Sequence, residues 1–341
     1  MRHLHLLLGT LVVIASVSPA EVRVRAQDSQ PVAPVAIPME LMTGRPVIRV
    51  MVNGQGPYAF LIAPDDQATQ IDRELADTLK FKELVKEAEK ATEKAEKAAK
   101  ELVKAAEKAA AKAEKAKDGR ARTTPVANGA APAANGALQA TVLLQFAGAK
   151  NLAGMTVPVT VGDVARALPE FDSTVRPRGI VSLSLWKDQL VTFDYSRWML
   201  LLQPGTLPEP NGKEVFPLTP DRQLRLPLAI GDQSIDCRVD PLFPEGLLLP
   251  ATYASVIPVD GKPRDWGIVT TREGPVRVRE AKLAANLMLG PFEMRHPLVM
   301  LADTGDTPTV GTRWLGRFAI TYDLANGRAR LDRITLPSSG R

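Results

Sequence analysis

Along most of the chain, apolar and polar residues alternate in short runs broken by Gly and Pro, the pattern of half-buried β-strands. The stretch "PVIRVMVNGQGPYAFLIA" (46–63) predicts two strands joined by an Asn53-Gly54 hairpin turn. "LRLPLAIGDQSIDCRVD" (224–240) predicts the same shape around Gly231-Asp232. Gly54 precedes Ala63 by nine positions, and Gly231 precedes Asp240 by nine. A second pair of segments also matches: "GIVSLSLWKDQLVTFD" ends at Asp194 and "PTVGTRWLGRFAITYD" ends at Asp323, with Ser182 and Gly311 each 12 positions earlier. The chain therefore reads as two copies of one β-rich unit.

One stretch breaks the pattern. Residues 82–117 are almost wholly Ala, Lys and Glu, the strongest helix formers. Leu84, Ala88, Ala91, Ala95, Ala98, Leu102, Ala105 and Ala109 recur every three or four positions, and Glu93/Lys97 and Glu96/Lys100 are spaced as i,i+4 pairs. An Ala stripe buries little surface, so the expectation is a solvated spacer helix, native or engineered, followed by an Ala/Pro/Gly linker at 118–139. Ala63 to Asp194 spans 131 positions and Asp240 to Asp323 only 83, so the insertion falls in the first copy.

The matched segments resemble the retropepsin-like aspartyl protease domain. In that family a hairpin delivers Asp-Thr-Gly-Ala, and a short helix, an apolar-apolar-Gly turn and a closing strand follow. "VMVNGQGPYAFLIAPDDQATQIDRELADTL" (50–79) carries the first part, while "VLLQFAGAKNLAGMTVPVTV" (142–161) and "ANLMLGPFEMRHPLVML" (285–301) resemble the hairpins before the Gly turn. The resemblance implies a mainly β fold of two retropepsin-like β-barrel lobes with a long α-helix inserted in lobe 1. Lobe 1 would span 39–202 and lobe 2 216–333, with linkers at 27–38 and 203–215 and a tail at 334–341.

Catalysis in this family needs two carboxylates, one per lobe, sharing a proton. Matched by position, lobe 1 has Ala63-Pro64-Asp65-Asp66 and lobe 2 has Asp240-Pro241-Leu242-Phe243. The family's acid is retained only as Asp240. Pro241 lacks an amide donor, and Leu242 stands where Gly would permit a tight turn. Asp65 or Asp66 could substitute for the acid missing at Ala63, or both could be turn residues after Pro64. An Asp-Thr-Gly tripeptide does occur, at Asp303-Thr304-Gly305, but it precedes the Gly turn rather than following a hairpin. Its counterpart in lobe 1 is Thr174, and it reads as a polar loop.

The resemblance thus implies a catalytically impaired pseudopeptidase that binds an extended peptide or protein segment in the cleft between lobes. The flap candidate is "DWGIVTTREGPVRV" (265–278), where Trp266 serves either contact or core. One alternative is an active aspartic endopeptidase using Asp240 with Asp65 or Asp66. Another is a cell-envelope scaffold that interacts through the Ala/Lys/Glu helix.

Charge and composition narrow the partners. Residues 1–26 carry a net +2 and residues 82–117 a net +3, which together account for the formal +5 of the 341-residue chain. The folded body then has no basic excess, so no nucleic-acid partner is expected. Arg2, the apolar run Leu4–Val17 and small residues ending at Ala20 or Ala26 read as a cleaved signal peptide. A periplasmic or secreted protein with no membrane span after cleavage is expected. The single Cys237 permits no intramolecular disulfide and reads as a buried apolar residue. His296 is the only histidine beyond the signal, so neither a metal cluster nor any cofactor is expected. A Ser-His-Asp triad would rest on His296 alone, without a nucleophile-elbow sequence. Nothing in the sequence sets an oligomeric state.

Overall fold

The computed structural model of the chain describes residues 33–81, 139–162, 164, 176–271, 274–290, 292–303 and 307–333. The signal read in 1–26, the helix read in 82–117 and Thr174 lie outside these residues, as does the linker at 118–139 except for its last residue.

Lobe 1 begins with β1 (Val35–Met42), β2 (Arg45–Val52) and β3 (Gln55–Ala63). Val35–Pro38, assigned from sequence to a linker, instead pair with a strand of the same lobe, so the lobe starts at Val35. Their alternating apolar side chains supply a reason: Ile37 is fully buried. Asn53 (φ 50°) and Gly54 (φ 77°) adopt the consecutive left-handed conformations that a two-residue hairpin requires. Next come β4 (Gln70–Asp72) and the helix α1 (Arg73–Thr78), where Ile71, Leu75 and Leu79 recur every four residues and are all buried.

The hairpin of β5 (Gln139–Phe146) and β6 (Met155–Gly162) alternates strictly: Val142, Leu144 and Phe146 point inward, as do Val157, Val159 and Val161. Gln139 opens β5 rather than ending a linker. β7 (Gly179–Ser182) leads through a 3-10 turn at Leu183–Trp186 to β8 (Leu190–Asp194) and β9 (Met199–Gln203). Strands pair in the order β2-β3-β7-β4-β6-β5, and β5 returns to β2 to close a barrel.

Lobe 2 contains β10 (Val215–Pro217), β11 (Arg225–Ile230), β12 (Gln233–Val239) and β13 (Leu247–Pro250). The long hairpin of β14 (Val259–Thr271) and β15 (Gly274–Leu283) follows, then β16 (Leu287–Leu289), β17 (Phe292–Met294), β18 (Leu298–Ala302) and β19 (Thr309–Val310). The helix α2 (Thr312–Leu315), β20 (Phe318–Asp323) and β21 (Arg328–Arg333) complete the lobe. Its sheet runs β14-β15-β18-β13-β19-β12-β11-β16-β17, and β15 and β11 are not paired directly. This lobe is a half-open barrel.

Lobes meet along β8 and β20, which pair antiparallel with Thr192 opposite Thr321. From that seam the strand order reads β8-β9-β1 in one direction and β20-β21-β10 in the other. Asp194 and Asp323 close these strands and do the same work. Asp194 Oδ1 accepts from the Ser196 and Arg197 amides at 3.0 and 3.1 Å, and Asp323 Oδ1 accepts from the Asn326 amide at 3.2 Å. Both acids cap turns. The described residues thus form a mainly β chain of one closed and one half-open barrel.

Candidate functional site

In lobe 1, β3 runs parallel to β7, and Ala63 pairs with Ser182. In lobe 2, β12 runs parallel to β19, where Val239 pairs with Val310 and the Asp240 amide donates to the Val310 carbonyl at 2.9 Å. Ala63 ends β3 and Asp240 directly follows β12, and each strand runs parallel to one that leads into a short helical turn. The site is the pair of loops that begin at these residues.

Both loops are tied down by the turn alongside. Ser182 Oγ donates to the Asp66 carbonyl and lies 2.6 Å from Ser184 Oγ, while the Ser182 amide donates to Thr69 Oγ1 at 3.2 Å. Thr312 Oγ1 donates to the carbonyls of Pro241 (2.8 Å) and Phe243 (3.1 Å). Gly311, where a Cβ would lie 2.3 Å from the Phe243 carbonyl oxygen, lets this second loop approach closely. Space is the requirement there, since its φ of −112° suits any residue.

Asp240 is 3% exposed. Its Oδ1 accepts from the Leu242 amide at 2.8 Å, and its Oδ2 lies 3.9 Å from Nη2 of Arg238, which is itself buried. Leu242 makes this bond without entering the left-handed region, contrary to the expectation that a side chain there would resist the turn. An Asx turn replaces the glycine turn. Tyr195 of lobe 1 is buried nearby, and burial first, then the charge of Asp240, pushes its phenol well above the ordinary value. Asp65 and Asp66 occupy the half-buried loop after Ala63, while Ala63 itself is fully buried.

Sequence reasoning missed two arginines. Arg45, the first residue of β2 and 1% exposed, donates from Nε to the Leu242 carbonyl at 2.6 Å, crossing from lobe 1 to lobe 2. Arg222, between β10 and β11, donates from Nη1 to Ser184 Oγ at 2.8 Å, crossing the other way. Each lobe's first turn thus grips the loop region of the other. The only hint in the sequence was an arginine at each turn, indistinguishable there from a solvated one. The turn Thr43–Gly44 also packs on this loop: a Cβ on Gly44, whose φ is +80°, would lie 2.7 Å from Pro244 Cβ. Leu41, Thr43, Pro244 and Glu245 line a hollow of about 390 Å³ between the lobes.

The remaining candidates fall elsewhere. Asp303 directly follows β18 and pairs with Arg279 at 3.3 Å. Trp266 stands on the exposed face of the β14–β15 hairpin, 48% exposed, so it is a surface residue. Cys237 is fully buried, and burial raises its thiol above the ordinary value. His296 lies exposed in the turn between β17 and β18.

No known protein family matches the sequence, and no curated protein matches it either. Among solved structures, the basic 7S globulin from soybean is similar over 91% of this chain and 98% of its own, at 12% identity and a TM-score of 0.43. A retropepsin-like aspartic protease from Rickettsia conorii is similar over 34% of this chain and 94% of its own, at 16% identity and a TM-score of 0.28. At such scores neither likeness carries a functional argument, and the chain's own geometry has to do so.

Proposed function

We propose that the chain is an exported pseudopeptidase, a duplicated acid-protease-like unit that binds an extended peptide segment between its lobes and does not hydrolyse it. One observation carries this reading. Asp240 is held by its own loop and faces Arg238, while the matching strand end in lobe 1 is Ala63. Peptide hydrolysis of this kind needs two carboxyl groups within a proton's reach, one to activate water and one to protonate. A guanidinium offers a carboxylate a charge partner and cannot take the second role.

The inter-lobe hollow edged by Leu41 supports a retained binding role, because Leu41 is an apolar side chain 45% exposed on its lining. An extended segment would lie along the loops and bond through its backbone. Digestion of a denatured protein at about pH 4, with pepstatin and Asp240→Asn as controls, tests the loss of catalysis. Pepstatin-sensitive cleavage abolished by Asp240→Asn would establish an active endopeptidase instead. Binding is tested by titrating unfolded peptides against the full chain and against Leu41→Asp, which should weaken capture. Equal capture by both would remove the hollow from the binding site. Export is tested by sequencing the mature N-terminus, which should begin after Ala20 or Ala26.

A further inference from the structure

Lobe 2 contains a second cavity, of about 660 Å³, lined by lobe 2 alone and sharing Arg313 with the inter-lobe hollow. That volume falls in the range of small-molecule sites, on the order of 300–1,000 Å³. Its lining is mixed: Leu247 and Met300 are buried apolar residues, Trp266 of β14 and Trp314 of α2 also line it, and five charged residues share the lining. Trp314 is seated by Gly246, where any Cβ would lie 2.6 Å from the indole Nε1. Gly246 thereby fixes one flat wall of the cavity.

Charge on the lining is unbalanced. Glu280 is paired with Arg264 at 2.9 Å, Glu293 accepts from Asn286 Nδ2 at 2.7 Å, and Arg313 is paired with Glu245 at 3.2 Å. Arg295 and Arg317 also line the cavity, and neither has a carboxylate partner among the described residues. Asn286 is neutral, so Glu293 keeps its charge, and Arg295 and Arg317 outweigh it by one on a mixed polar and apolar lining that includes two tryptophans. Guanidinium forks match planar carboxylates bidentately, and indole faces take flat rings. A small hydrated anion would satisfy the arginines but leave the indoles and Met300 facing water.

We propose that this cavity binds an aromatic carboxylate, its ring between Trp266 and Trp314 and its carboxylate on Arg295 and Arg317. Two sources share that chemistry: a free arylalkyl acid and the C-terminal aromatic residue of a peptide. Arg313 lines both this cavity and the inter-lobe hollow, but the proposed contacts, Trp266, Trp314, Arg295 and Arg317, include neither Asp240 nor Leu41, so the site is tested separately from the pseudopeptidase reading.

The test uses the full chain, with tryptophan fluorescence and calorimetry as readouts. The probes are 4-phenylbutyrate and its amide, a peptide ending in Phe and its C-terminal amide, and inorganic phosphate. At least one acid should bind saturably, with its amide weaker by about tenfold or more. Binding of phenylbutyrate supports a free acid, and binding of the peptide alone supports a chain terminus. Arg295→Gln combined with Arg317→Gln should remove the preference for the acid, whereas Arg49→Gln, an exposed lobe 1 residue, should leave it intact. Both arginines are exposed, so the double variant should fold. The proposal is overturned by acid and amide binding alike, by phosphate as the only ligand, by no binding up to about 10 mM, or by an unchanged acid preference in the double variant.

Discussion

Arg45 Nε donates to the Leu242 carbonyl at 2.6 Å, joining residues 197 positions apart and fastening the first turn of one lobe to the Asp240 loop of the other. A hydrogen bond from a buried guanidinium contributes about 1.5–3 kcal/mol. Arg45→Met keeps an unbranched apolar stem and removes the donors, so unfolding free energy should fall by at least about that amount. Urea denaturation measures this, with the midpoint lowered and the slope unchanged. A shift below about 0.5 kcal/mol would mean that the lobes are held together by the β8–β20 seam without help from Arg45.

Within that seam, Thr192 and Thr321 are both buried, and their hydroxyls are 2.8 Å apart. Replacing either with Val strands the other hydroxyl, at a cost of about 1–3 kcal/mol. Replacing both leaves two apolar side chains of similar shape and should be close to neutral. A double-mutant cycle should therefore give a coupling on the order of 1 kcal/mol. Additive losses would show that each hydroxyl bonds elsewhere.

Where the sequence carried a strong period, it disclosed the fold. The Asn53-Gly54 turn, the alternating strands β5 and β6, and α1 with its four-residue apolar spacing follow from local chemistry, because each needs only its own neighbours. Aligning Ala63 with Asp240 required only counting; in the structure Ala63 pairs with Ser182 of β7, and Asp240 follows Val239, which pairs with Val310 of β19. What could not be read were contacts made across the lobes. Arg45, Arg222 and Tyr195 look like surface or core residues in sequence, and their role depends on a docking geometry that no local pattern encodes. Leu242 was misjudged for a related reason: its amide serves Asp240 from an ordinary backbone conformation, so a glycine was not required.

Two buried acids of high intrinsic value set the alkaline limit. Cys237 and Tyr195 ionise ordinarily at 9.0 and 10.0, and burial raises both in the folded chain. Above those ordinary values the unfolded chain releases protons that the folded chain keeps, so the folded state binds more protons and stability falls as pH rises. Each group contributes up to about 1.4 kcal/mol per pH unit there, and nothing below. Denaturation between about pH 8 and about pH 11 should show the decline, with Cys237→Ala and Tyr195→Phe each flattening it. Tyr195→Phe should cost little at neutral pH, since that hydroxyl makes no hydrogen bond among the described residues. An undiminished slope in both variants would place the titrating groups elsewhere.

Restoring the missing acid is the sharpest trial of the two-lobe reading. Ala63→Asp puts a carboxyl at a fully buried strand end, at the address that Asp240 occupies in lobe 2. Burial without a dedicated partner disfavours the charged form, so the new group's folded value should rise above about 3.9, its unfolded value. The sign follows: the variant suffers least below about pH 4, and loses stability as pH climbs toward neutrality. Thermal unfolding of variant and parent at about pH 4 and about pH 7 should show a gap that widens at the higher pH. Peptidase activity should not appear, because Asp240 still faces Arg238 and its loop is still held by Arg45. Pepstatin-sensitive cleavage by Ala63→Asp would mean that the loop geometry is catalytically competent and that the alanine alone silences the enzyme.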